Sequence, residues 1–169
     1  MKQKCQHLLQ TLLESQSNYF EALETENPKK LKVSPPNKWN ILQVLDHINI
    51  SQGGTLGYIK KKSQAEVLKK TGLKAKFRMI LLRRFFKNNL NLKAPSVLAQ
   101  PNREGDLQAL KILLNNQVNE LIELSNSLPL KKMRGEIFKH PIAGRINFLQ
   151  ACEFLSLHWF HHAVQIDKL

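Results

Sequence analysis

The chain has 169 residues, a formal net charge of +13, 42% hydrophobic residues, seven glycines and seven prolines. That length buries a real core without added staples and leaves little room for two, so one domain spanning 1–169 is expected. The composition excludes disordered and fibrous classes, and no run of about 18–20 apolar residues offers a transmembrane span.

At the start, Gln10 and Glu14 interrupt the apolar cluster that a signal peptide would need, and no small-residue cleavage site follows. Cys5 and Cys152 show no paired spacing, which suits a reducing compartment, so a cytoplasmic protein is expected. Over 6–24, Leu9, Leu12, Leu13, Phe20 and Leu23 recur at helical intervals until Asn27 and Pro28 stop the pattern. This predicts a first helix. Residues 33–39 form a proline-stiffened loop, after which Asn40 caps a second helix and Gln43 reaches back to the cap. Ile41, Val44, Leu45 and Ile48 form its apolar stripe; Gly53 and Gly54 weaken its far end, while Leu56 and Ile59 allow it to continue. Trp39 reads as a hydrophobic staple over the entrance of this helix.

Residues 60–93 hold twelve Lys or Arg against one acid, Glu66, and so carry +11, leaving +2 for the rest of the chain. Such a field attracts nucleic acid, anionic lipid or an acidic substrate, and it equally suits a solvated surface. Residues 76–86 predict a short basic amphipathic helix; Lys93, Ala94, Pro95, Gln100 and Pro101 predict loop. From 106 to 128, Leu107, Leu110, Leu114, Val118, Leu121 and Ile122 predict a long third helix that Pro129 ends. A turn at 140–144 precedes a fourth helix over 147–166, and strand-like alternation is nearly absent. Four amphipathic helices that cannot bury their stripes alone predict an all-α four-helix bundle with a long crossover between helices two and three. The other two connections are compatible with antiparallel neighbours.

In the fourth helix, His158 and His162 stand four residues apart, so both imidazoles reach one ion from one face. Phe148, Ala151, Leu155 and Gln165 share that face, which points it into the bundle. Two histidines satisfied by hydrogen bonds would show the same spacing. His47 follows Val44 by three residues, at the edge of the second helix's apolar stripe, and can look inward toward them. Three histidines from two helices leave coordination positions open, unlike a closed structural site.

Two segments carry a family resemblance. Residues 37–47 (NKWNILQVLDH) resemble the tryptophan-led second helix of the DinB-like (YfiT-like) putative metal-dependent hydrolases. Residues 140–144 (HPIAG), followed fourteen residues later by 158–166 (HWFHHAVQI), resemble that family's last helix and its entrance. The prolines at 95 and 101 are similar to its linker. The resemblance implies a four-helix bundle with one nickel or zinc ion on His47, His158 and His162. It further implies a homodimer and a small-molecule substrate such as a thiol or thiol conjugate. The chain departs from the family between the last two histidines, where Glu and Arg are usual and Trp159, Phe160 and His161 stand.

Neutral imidazoles leave a divalent ion its full charge, so the expected chemistry is hydrolysis or thiol transfer by an activated water or thiol. No general base is assigned, since Asp46 and Glu153 lie off the metal-facing stripes. Gln165, one turn beyond His162, reads equally as a group that orients that ring or a ligand and as a plain polar residue near a helix end. His161 points about 100° away from His162, His7 and His140 have no assigned partner, and Cys152 reads as a small buried hydrophobe. Two other classes compete. One is a basic module for nucleic acid or an anionic surface, with Arg83, Arg84 and Lys87 flanking Phe85 and Phe86. The other is a metal-binding scaffold without turnover.

Overall fold

The computed structural model describes residues 1–88 and 106–169, and the loop reading of the prolines at 95 and 101 lies outside them. The described chain is mostly helical: α1 (Lys2–Glu24), α2 (Pro28–Lys32), α3 (Ile41–Ser63), α4 (Leu73–Lys87), α5 (Leu107–Ser127), α6 (Leu130–Met133) and α7 (Phe148–Ile166), with two short strands, β1 (Phe138–His140) and β2 (Gly144–Ile146). No helix among the described residues is long and apolar enough to cross a membrane.

Local chemistry sets the long helices. Asn40 accepts from the Gln43 N–H while Gln43 Oε1 accepts from the Asn40 N–H, the reciprocal cap expected from the sequence. Asn147 and Gln150 form the same device at the start of α7, and Asp106 caps α5 through the Ala109 N–H. The glycines do not shorten α3, which runs unbroken to Ser63. A Cβ at Gly53 would stand 2.9 Å from Gln117 Nε2, so this glycine admits the side chain of α5 closely.

The four long bundle helices are α1, α3, α5 and α7. Each of α1 and α3 packs along both α5 and α7, which places α1 diagonal to α3. The first and second bundle helices, and likewise the third and fourth, are therefore not the neighbours that their connections seemed to favour, whereas α3 and α5 do pack side by side. The linkers explain this, since residues 25–40 contain α2 and residues 128–147 contain α6 and the two strands, enough chain to cross the end of the bundle. In the centre, Gln16 Nε2 donates to Gln52 Oε1 at 3.1 Å and Gln52 Nε2 donates to the Leu114 carbonyl at 2.9 Å. These buried bonds join α1, α3 and α5 and resist sliding of one helix past another. Around them pack Leu9, Leu12, Phe20, Leu45, Leu114 and Trp159, all fully buried.

The fifth long helix, α4, lies outside this bundle, against α7 and β2, and buries Ala75, Met79 and Leu82. The strands form an antiparallel hairpin pairing Phe138 with Ile146 and His140 with Gly144. Three-residue strands are too short for alternation to announce them. His140 closes the hairpin: its Nδ1 accepts from the backbone N–H groups of Ile142 and Ala143 at 3.1 and 3.0 Å. Gly144 completes the turn with φ of 68°, a conformation other residues adopt only under strain.

Candidate metal centre

Two helices supply the centre. The apolar stripe of α3 (Ile41, Val44, Leu45, Ile48) turns His47 inward, and the alternation of Ala151, Phe154 and Leu155 along α7 does the same for His158 and His162. All three imidazoles are buried. The Nε2 atoms of His47 and His158 are 3.3 Å apart, those of His162 and His158 are 3.1 Å apart, and the three candidate ligand atoms all lie within 4.8 Å of one another. Nitrogens about 2.0–2.1 Å from a shared tetrahedral ion would be separated by about 3.3 Å, so the donor set fits such an ion.

His162 Nδ1 lies 2.7 Å from Gln165 Oε1. A carboxamide oxygen only accepts, so Nδ1 carries the ring proton and Nε2 presents its lone pair to the other two histidines. Burial, followed by the neighbouring His162 and His47, holds His158 well below the usual histidine range. Burial and His47 lower His162 to about 3, against the opposing effect of Gln165. Both rings are therefore neutral at physiological pH and free to ligate.

Aromatic side chains surround the cluster. The Trp39 ring lies 5.2 Å from that of His47, so the residue assigned to structure as a staple also walls the centre. Phe154 stands 5.4 Å from His158, and Phe86, half-buried on α4, stands 6.3 Å from it. Nothing in the spacing of the chain could have assigned Phe86 to this place, because only the docking of α4 on α7 brings it there. His140 lies behind Phe154, with ring centroids 4.3 Å apart. Its two accepted N–H bonds put the ring proton on Nε2, and burial lowers its pKa to about 4. The sequence had named no partner for it.

The other candidates fall elsewhere. Asp46 is buried beside Asn49 and Glu153 pairs with Arg83 at 2.6 Å, so neither joins the group of possible ligands. His161 is half-buried against Phe86, 5.5 Å between centroids, and His7 is exposed on α1. Trp159 points away from the centre, donating from Nε1 to Ser15 Oγ at 2.9 Å, and Phe160 faces solvent. Cys152 is not isolated. Cys5 of α1 is its neighbour, and burial, reinforced by Cys5, pushes the Cys152 thiol up.

The family model of the DinB superfamily matches residues 11–166. The chain belongs to the DinB superfamily. Its two sequence signatures thus correspond to the two helices that supply the histidines, and the HPIAG stretch corresponds to the hairpin turn closed by His140. No curated protein and no solved structure matches the chain. The superfamily therefore frames the site, while the chemistry rests on the residues present.

Proposed function

We propose that this DinB-superfamily protein is a metal-dependent hydrolase or thiol transferase acting on a small molecule, with one nickel or zinc ion on His47, His158 and His162. The observation that carries this reading is the convergence of three buried Nε2 atoms from two helices, two of the separations being 3.1 and 3.3 Å. When bound, such an ion supplies Lewis acidity, drawing the pKa of a coordinated water or thiol toward neutrality.

The chain's own groups prepare that chemistry. Gln165 holds the His162 ring in the tautomer that aims Nε2 inward, the usual task of a side chain behind a ligand. The low proton affinity of His158 and His162 keeps their lone pairs available well below neutral pH. Trp39, Phe86 and Phe154 exclude water from one side of the histidines and offer apolar surface to the substrate. Three protein ligands leave coordination positions open, which a structural site of four ligands does not.

Elemental analysis of protein purified without a histidine tag tests the reading. About one nickel or zinc per chain is expected in the wild type and close to none in His158→Ala. Equal metal content in the two proteins would refute the site. Turnover of thiol conjugates, esters or amides by the loaded protein is the second expected result. Full metal content with no turnover on any of these classes would favour the scaffold reading instead.

A further inference from the structure

Helix α4 has two apolar faces, and the bundle uses one of them. Ala75, Met79 and Leu82 are buried against α7 and the hairpin. On the opposite side, Leu73 is 80% exposed, Phe77 62%, Leu81 48% and Ile80 44%. At 100° per residue these four fall within one quadrant-wide strip, since their positions follow an i, i+4, i+7, i+8 pattern. Val67, before the helix, is 70% exposed as well.

Cations rim this strip. Between residues 69 and 87 the chain carries eight Lys or Arg and no acid. Arg83 is drawn toward the body of the protein by Glu153, and Arg78 reaches over Gly144. Lys69, Lys70, Lys74, Lys76, Arg84 and Lys87 are exposed, and none of them pairs with an acid among the described residues.

We infer that the outward face of α4 docks on an anionic phospholipid surface, with Leu73, Phe77, Ile80 and Leu81 entering the headgroup–acyl boundary and the flanking lysines and Arg84 meeting the lipid charge. Charge decides among the occupants. A second copy would bring the same cations face to face. A nucleic-acid backbone would meet the cations but leave four large apolar side chains against phosphate. A bilayer of acidic lipid satisfies both, because an interfacial helix needs a cationic polar flank and an apolar face together. The inference stands independently of the metal centre, since it concerns the side of α4 turned away from Phe86.

The test is co-sedimentation of the full chain with vesicles of phosphatidylcholine alone or of equimolar phosphatidylcholine and phosphatidylglycerol. Binding is expected only to the mixed vesicles, weakening as salt is raised. A Phe77→Ser, Ile80→Ser double variant should bind at least about tenfold more weakly, because it removes two buried hydrophobes at the boundary. Replacing Lys74 and Lys76 with Gln should cost about fivefold per charge. An Ile112→Ser variant on α5 should bind as the wild type does. Equal binding by the double variant and the wild type would overturn the inference. So would equal binding to both vesicle types. Failure to bind vesicles would also overturn it: a dimer abolished by the double variant would then assign the face to a second copy, and duplex binding retained by that variant would assign the cations to nucleic acid.

Discussion

Helices α4 and α7 pack against each other, yet they depart from simple hydrophobic sorting in opposite directions. In α7, polar side chains are pulled inward: His158, His162, Gln150 and Ser156 are buried among aromatic and aliphatic neighbours. In α4, large apolar side chains are pushed outward along a face that the bundle does not cover. Both arrangements oppose what burial alone would favour, the first through desolvation of polar groups and the second through hydration of apolar area. Gln150 is accounted for by its cap with Asn147; for the imidazoles the proposed ion, and for the apolar strip the proposed lipid surface, supplies the missing interaction.

If that contrast is right, core and surface positions on the two helices must respond very differently to substitution. Trp159→Ala on α7 is expected to have the largest effect, a loss of about 3–5 kcal/mol, since it removes a fully buried ring and its bond to Ser15. Urea unfolding measures it. A loss below about 1 kcal/mol would mean that α7 is held far less by packing than its burial indicates.

Acid should weaken the inward-facing polar groups next. His140, lowered to about 4, and His158 and His162, also lowered by burial, bind protons more readily unfolded than folded. The unfolded state then holds more protons below the ordinary histidine value of about 6.5, so stability must decrease as pH drops from there toward 4. For His140 alone the decrease is on the order of 3 kcal/mol, and a His140→Gln variant of the chelator-treated protein should show a flatter profile over the same window. An unchanged profile would show that the ring protonates in the folded state without cost.

Smaller still is the effect expected at Gln165. Leucine there cannot accept the His162 Nδ1 proton, and metal affinity is expected to fall about tenfold, with Gln165→Glu recovering most of it. Competition with a chromogenic chelator gives the affinities. At the other extreme, Phe77→Ser on the outward face of α4 should change folding stability by no more than about 0.5 kcal/mol. A larger destabilisation would mean that this face is covered within the protein itself.

Much of the site was legible before any coordinates. The i, i+4 spacing of His158 and His162 puts them on one helical face, and the stripe beginning at Ile41 tells which way His47 looks. Gln165 follows from the same periodicity, being one turn past His162. Trp39 against His47 was only half read, because a residue that precedes a helix takes its direction from the loop geometry. The partners of His140 escaped altogether, since they are backbone groups of a turn whose hairpin spans too few residues to show a pattern.

The one-dimensional pattern by itself determined the four long bundle helices, the cap at Asn40, the basic helix and the inward direction of three histidines. These follow from interactions between residues at most a few positions apart, which any window of the chain displays. Tertiary structure alone decided that α1 lies diagonal to α3, that Cys5 meets Cys152, that Phe86 covers His158, and that one apolar face of α4 stays uncovered. Each of these depends on which helix comes to lie beside which, a choice made by packing shape and linker reach across the whole molecule rather than by any local preference.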